Sequence, residues 1–359
     1  MNAGRRLLVD DSEATRLPDQ SIAGVDQLEE LLSRPTPEVV AAMGRLQGDL
    51  MVLGVAGKIG PTLARMVRRA SDAAGVPRRV IGVSRFSKPR LQEELSRQGI
   101  ETISCDLLDR TQLGALPEAP NVLYLAAMKF GSTGQEDTTW AMNCYLPGMV
   151  AEKFRYSRIV AYSSGNVYAL VPPGQGGSVE TDPPAPIGDY AMSVLGRERI
   201  FTWLGKSLGI PTALVRLNYA TEMRYGVPVD LAQQVMAGQP IDLAMGCFNV
   251  IWQGDSNAMT LRALDHVAVP PFVINVTGPE ILSVRRVAEQ LGQVLGKPVR
   301  FTGSESQTAL LSNAGLSHRL FGRPRVSAER MIRWIADWQI RGGPTLGKPT
   351  HFQTRNGKF

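Results

Sequence analysis

The sequence predicts an α/β protein: a doubly wound parallel sheet with a smaller, interleaved C-terminal lobe. Three observations predict it. Short apolar runs of β type alternate with amphipathic helical runs from about residue 49 to 218. The first of these runs ends in a glycine-spaced turn that opens a helix, GVAGKIG at 54–60. After the rhythm loosens, one more apolar run, FVINVTG at 272–278, offers a last strand for the same sheet. Strands alternating with helices imply right-handed crossovers and a parallel sheet covered on both faces. With 359 residues, 43% hydrophobic and 20% charged, the chain can bury a core of that size.

The elements follow in order. VDQLEELLSR (25–34) is an amphipathic helix, and PTPEVVAAMGRL (35–46) a second, with Thr36 as N-cap and Pro37 at its first position. Residues 1–48 therefore read as a helical extension that packs on the main body or on a partner subunit. DLMVLG is a buried strand, and KIGPTLARMVRRASDA a helix with apolar residues at helical spacing. RRVIGVS is a strand, KPRLQEELSRQG a helix, IETISC a strand and NVLYLAA another. A long helical stretch runs through Phe154; RIVAYSS is a strand, the Tyr190 region a helix, and PTALVRLN a strand. SVRRVAEQLGQVLG and SAERMIRWIADWQI are helices of the second lobe, and VPPGQGGSVETDPPAP (171–186) is the main loop.

Composition narrows the classes. The net charge of +6 is scattered, which reads as solubility charge with mild attraction for an anionic ligand, not as a nucleic-acid surface. Cys105, Cys144 and Cys247 are far apart with no CxxC, and His266, His318 and His351 are isolated, so neither a disulfide framework nor a metal site is expected. The opening MNAGRRLLVDDSEATR lacks an apolar signal core and no apolar run approaches membrane length, so a cytoplasmic protein without membrane contact is expected.

In the turn at 54–60, backbone N–H groups at the helix start face outward where a pyrophosphate can sit. Gly54 permits the tight turn, Gly57 the close approach and Gly60 the helix packing, while Lys58 and Ile59 supply flanking backbone. This is the Rossmann-type dinucleotide turn; the alternative is a merely structural tight turn. At the end of the second strand Ser84-Arg85, with Lys88 nearby, suits a 2′-phosphate and favours NADP over NAD. The alternative there is a solvated Arg85 that stacks on adenine. Asp106, followed by Leu107, could accept from the adenine amino group or instead cap the next helix.

Taken together, GVAGKIG, CDLLD, LAAMKFG, NCYLPG, VAYSSGNVYA, ETDPPAPIGDYAMSVLGRE, TALVRLN and VINVTGPEILSVRRVAEQLG resemble an extended short-chain dehydrogenase/reductase of the NAD-dependent epimerase/dehydratase type, over residues 49–340. The resemblance implies cofactor contacts at Ala126, Ala127, Lys129, Asn143 and Tyr190, with Ser164 and Tyr190 as the catalytic pair. It also implies a homodimer formed through residues 135–155 and 186–208. A phenolate can take the carbinol proton as hydride leaves, and a phenol can return it. The family lysine four residues after the tyrosine is here Val194. Three readings stay open. Another cation, Lys129 or the nicotinamide itself, replaces it; Tyr190 serves as proton donor in a reduction; or hydride chemistry is gone and the protein is a non-catalytic dinucleotide-binding sensor or scaffold.

Gly165 and Asn166 stand where a dehydratase of this family would carry an acid pair, which ranks dehydration low. The arginines that clamp a nucleotide-sugar diphosphate in such relatives are missing from CFNVIWQGD, read as a strand, and from FTGSESQTALLSN. A smaller substrate is therefore expected: a free sugar, sugar acid or related polyol. The alternative is a nucleotide-sugar epimerase in which Arg224, Arg262 or Arg323 clamps from a new position. Asn218, Tyr219, Phe248 and Trp252 are candidate pocket residues, aromatic faces for sugar C–H groups and an amide for hydroxyls. The expected division is 1–48 extension, 49–218 plus the strand near 272–278 dinucleotide domain, 219–271 and 279–345 substrate lobe, and 346–359 tail.

Overall fold

The computed structural model describes residues 17–129, 131 and 133–358. The opening segment read above, residues 1–16, lies outside them. Seven parallel strands form one sheet: β1 Leu50–Leu53, β2 Val80–Ser84, β3 Glu101–Ser104, β4 Asn121–Tyr124, β5 Arg158–Ser164, β6 Thr212–Leu217 and, later in the chain, Phe272–Val276. In space the order is Phe272–Val276, β6, β5, β4, β1, β2, β3. β1 pairs Val52 with Gly82 of β2 on one side and with Leu123 of β4 on the other. The direction of winding reverses there, and in such sheets ligands bind outside the carboxyl ends of the strands at that point. All four residues of β1 are buried, as a strand covered on both faces requires.

The glycine turn caps β1 and starts helix Gly60–Ala73. Gly54 has φ +87°, and a Cβ there would lie 2.7 Å from the Ala126 amide nitrogen. Only glycine lets the two strand ends approach so closely. One sheet face packs Val52, Leu63, Val67 and Val160, and the other packs Leu53, Tyr124, Leu146 and Phe201. A third core, around Phe248, Trp252, Trp334 and Trp338, fills the second lobe.

The N-terminal extension packs on the main body. Helix Val25–Ser33 buries Leu28, Leu31 and Leu32, at i, i+3 and i+4, in the lobe core. Helix Pro37–Arg45 is capped by Thr36, whose hydroxyl accepts from the Val39 N–H at 3.3 Å, and it buries Val39 and Met43 in the sheet core. The extension thus bridges the two cores.

Three expectations need correction. The segment CFNVIWQGD is not one strand: it makes two short strands, Cys247–Phe248 and Ile251–Trp252, and then enters helix Gln253–Arg262. Asn249 interrupts the pairing because its amide donates to Glu280 O at 3.1 Å and accepts from the Ser312 N–H at 2.9 Å. The stretch through Phe154 is not a uniform helix. A π-helical turn, Ala141–Tyr145, separates Glu136–Trp140 from Leu146–Lys153. Asp109, not Asp106, caps helix Arg110–Ala115. The tail lies along the second lobe without regular structure: Thr350 donates twice to Asp230 Oδ2, at 2.7 and 2.6 Å, and Phe352 packs on Phe248. Among the described residues no helix is long and apolar enough to cross a membrane, and no cluster of histidine, cysteine and carboxylate residues could hold a metal ion.

Candidate active site

β5 ends on Ser164, and Tyr190 lies in the first turn of helix Gly188–Leu208. Two buried contacts fix that helix against the sheet. Glu198 takes a fork of hydrogen bonds from Arg216 of β6, at 2.9 and 2.7 Å, and Ser163 of β5 donates to the same carboxylate at 2.5 Å. Arg216 also donates to the Tyr168 hydroxyl at 2.7 Å, which donates to Asn275 Oδ1 at 2.8 Å. Held this way, the Ser164 hydroxyl faces the Tyr190 phenol and draws its ionisation down. Ser164 also donates to Asn166 Oδ1 at 2.9 Å. A Cβ on Gly165 would meet the Ser312 hydroxyl at 2.9 Å and Asn218 at 3.0 Å, so a side chain there requires those neighbours to shift.

Val194 is buried against Val167, Tyr168 and Tyr190. It adds packing where a cation would add field. Burial pushes the Tyr190 phenol above its ordinary value, opposed by the Arg197 charge and by the Ser164 hydroxyl. Tyr190 is therefore a neutral phenol near pH 7, ready to donate a proton. The Lys129 amine lies 5.6 Å from the Tyr190 ring centre and 6.0 Å from that of Tyr219. Burial lowers Lys129 to about 8, against the pull of Asp230.

The glycine turn fits a dinucleotide. A Cβ on Gly60 would fall 2.2 Å from Val55 O, whereas one on exposed Gly57 meets only Gly54 O, at 3.3 Å. No side chain caps helix Gly60–Ala73 at Ile59, which leaves its N-terminus to an anion. Lys58 reaches from the turn to the second lobe. Its amine stands 3.2 Å over the Tyr225 ring and donates to Ala220 O at 3.3 Å. Burial, opposed by Glu222, brings it down to about 7. Gly57, Lys58, Glu29, Arg65, Phe86 and Lys88 line part of a cavity of about 850 Å³. Ser164 and Tyr190 do not line it, so it lies at the glycine-turn end of the groove.

At that end Arg85 and Ala127 are exposed, Ser84 is half-buried and Ala126 is buried. Asp106 accepts from the Leu108 N–H at 3.1 Å, an Asx turn, and Leu107 packs in the sheet core. Asn143 cannot touch a cofactor with its side chain. It is wholly buried, and its amide is bonded to both backbone groups of Met128, to Ser193 and to Arg197. It orients the Ala127–Lys129 segment instead. Phe248 and Trp252 belong to the lobe core, with Trp252 edge-on to Trp334 at 5.6 Å, and form no pocket wall. Asn218 is buried beside Gly165 with its Nδ2 unbonded, and Tyr219, half-buried at φ +46°, faces Lys129. Sequence reasoning missed Arg197, Tyr225 and Asp230. Arg197 alone carried a signal, being seven residues from Tyr190 on the same helical face.

Of the relocated arginines, Arg224 is paired with Glu29 and Glu222, and Arg262 donates to the carbonyls of Leu320 and Phe321. Exposed Arg323 borders a separate cavity with Thr36 and Glu38.

Residues 50–220 match the model of the NAD dependent epimerase/dehydratase family. No curated protein matches the sequence significantly. Among solved structures, the UDP-glucose 4-epimerase of Thermotoga maritima with UDP-glucose shares 16% identity and a TM-score of 0.67 over 82% of this chain and 99% of that one. The UDP-glucuronic acid 4-epimerase of Bacillus cereus with NAD shares 20% and 0.69 over 83% and 99%. The dTDP-glucose 4,6-dehydratase of Streptomyces venezuelae with NAD shares 18% and 0.69 over 82% and 97%. At these identities the structural likeness speaks for the fold, a Rossmann-type α/β sheet with its second lobe. Over its sheet domain, residues 50–220, the chain is similar to the NAD dependent epimerase/dehydratase family.

Proposed function

We propose that the protein is an NAD(P)-dependent oxidoreductase or epimerase acting on a carbinol or ketone of a sugar, sugar acid or related polyol. The observation that carries the reading is the Ser164 hydroxyl facing the Tyr190 phenol at the carboxyl end of β5, two strands from the point where the winding reverses. Tyr190, kept protonated by burial, gives its proton to the carbonyl oxygen, and Ser164 aligns that oxygen. The bound cofactor supplies or accepts the hydride. In the opposite direction Tyr190, as the phenolate, receives the carbinol proton. Gly165 and Asn166, in place of an acid pair, favour this over dehydration. Ser84, Arg85 and Lys88 favour NADP.

A nucleotide-sugar substrate is the second reading, and the structural relatives that carry UDP-glucose and NAD favour it. Against it stand the commitments of Arg224 and Arg262. Turnover of a panel of free sugars, sugar acids and nucleotide sugars separates the two. On whichever substrate turns over, Tyr190→Phe is expected to lower kcat by about 10²–10⁴-fold with cofactor affinity kept. A Phe variant with undiminished kcat removes Tyr190 from the chemistry. Cofactor binding without turnover of any panel member supports the non-catalytic sensor or scaffold.

A further inference from the structure

Resting on the reading of Tyr190 as the acid/base group, we propose that Arg197 supplies the positive charge that Val194 does not, acting on Tyr190 from two turns further along the same helix. Tyr190, Ser193, Val194 and Arg197 follow one another at steps of three, one and three, which places them on one helical face. Long helical side chains lean toward the N-terminus, so Arg197 reaches back toward Tyr190. A continuous path of hydrogen bonds joins them. Arg197 Nη2 donates to Asn143 Oδ1 at 2.8 Å, Asn143 Nδ2 to Ser193 Oγ at 3.0 Å, and Ser193 Oγ to Tyr190 O at 2.9 Å.

Arg197 is 2% exposed and bonded only to neutral acceptors: Tyr162 O at 2.8 Å, and Asn143 through Oδ1 and, at 3.4 Å, its carbonyl. Among the described residues no carboxylate pairs with it; its neighbour Glu198 is turned to Arg216. A guanidinium does not deprotonate in a protein, so the charge persists. Uncompensated in a poorly polarisable interior, it acts on whatever lies near. It lies near three titratable groups: Tyr124, over whose ring it stands at 5.4 Å, Cys144 and Tyr190. Burial raises each of them and Arg197 pulls each back down. Tyr190 itself faces Ser164 from β5, Lys129 from the loop after β4, and Tyr219 and Tyr225 from the second lobe. None of these is a carboxylate. Lys129, the surrogate expected from sequence, stands 5.6 Å from the ring centre and is brought down to about 8 by burial. Arg197 keeps its charge throughout. It is a positioning residue, touching neither substrate nor cofactor.

The test is the ionisation of Tyr190, followed by NMR of ring-labelled tyrosine from about pH 9 to 11, with Tyr190→Phe assigning the signal. Arg197→Gln keeps a hydrogen-bond donor and drops the charge; Arg197→Lys keeps the charge. Asn143→Asp sets a carboxylate on Arg197 and neutralises it in place. Gln and Asp variants with native melting profiles are expected to hold about tenfold less phenolate at a given pH, one unit of pKa, while Lys stays near wild type. The basic limb of the kcat profile moves with it. Unchanged ionisation in whichever of Arg197→Gln and Asn143→Asp folds, or a Lys variant shifted as far as Gln, overturns the proposal. The titration needs no substrate. Activity that survives Tyr190→Phe sinks the catalytic reading alone, and a static titration with a dead Phe variant sinks the Arg197 assignment alone.

Discussion

Lys58 shows how single side chains set the behaviour of this groove. Its amine, pressed on Tyr225, titrates at about 7 instead of 10.5. Between those values the unfolded chain holds a proton that the folded chain has released, so at this site stability rises with pH across that window and falls as pH drops through 7. A pyrophosphate at the turn would favour the charged amine. Dinucleotide binding at about pH 8 is therefore expected to take up close to one proton, and at about pH 6 none. Calorimetry in buffers of different ionisation enthalpy measures this; uptake that persists in Lys58→Met assigns the proton elsewhere. In the same titrations Arg85→Asp should weaken NADP and spare NAD, and an unchanged ratio counts against a 2′-phosphate contact. The sequence marked Lys58 only as part of a glycine turn. That its amine crosses to Tyr225 depends on residues 167 positions later in the chain.

At the scale of elements, helix Gly188–Leu208 keeps its place through the Glu198–Arg216 pair, with side chains only 5% and 6% exposed. Removing one partner strands a buried charge, which costs about 3–5 kcal/mol. Glu198→Ala is accordingly expected to lower the melting temperature clearly and to disturb the Ser164–Tyr190 pair, with Glu198→Gln milder. A melting curve for Glu198→Ala that overlays wild type would show that the pair does not hold the helix. The sheet strands and most helices were legible because each carries its own period and its own stop, such as Gly209 at φ +70° closing this helix. The π-helical turn was not. Nothing in AMNCY announces it, and its register places Asn143 between Met128 and Arg197. Nor did CFNVIWQGD read correctly, since its apolar residues serve a lobe core that brings together distant segments.

For the whole molecule, the proposed homodimer has a surface to use. The helices from Glu136 to Lys153 and from Gly188 to Leu208 pack side by side, with Gly196 against Cys144. Their outer side exposes Trp140, Tyr145, Met192 and Trp203, the last at 64%. Large aromatic residues left to water on adjoining helices mark an interaction site, and a two-fold axis would cover both copies at once. Trp203→Glu is expected to yield a folded monomer by light scattering; a wild-type chain already monomeric at micromolar concentration refutes the dimer.

The sequence by itself determined the parallel sheet, the glycine turn at its switch point and the presence of Ser164, Tyr190 and Val194, because period, turn chemistry and short spacings are local properties. Only the tertiary structure decided that Phe248 and Trp252 are core, that the Asn143 amide is spent on protein partners, and that the Arg197 guanidinium is buried over the Tyr124 ring. Burial and electric field are sums over neighbours from many parts of the chain, and folding alone makes them neighbours.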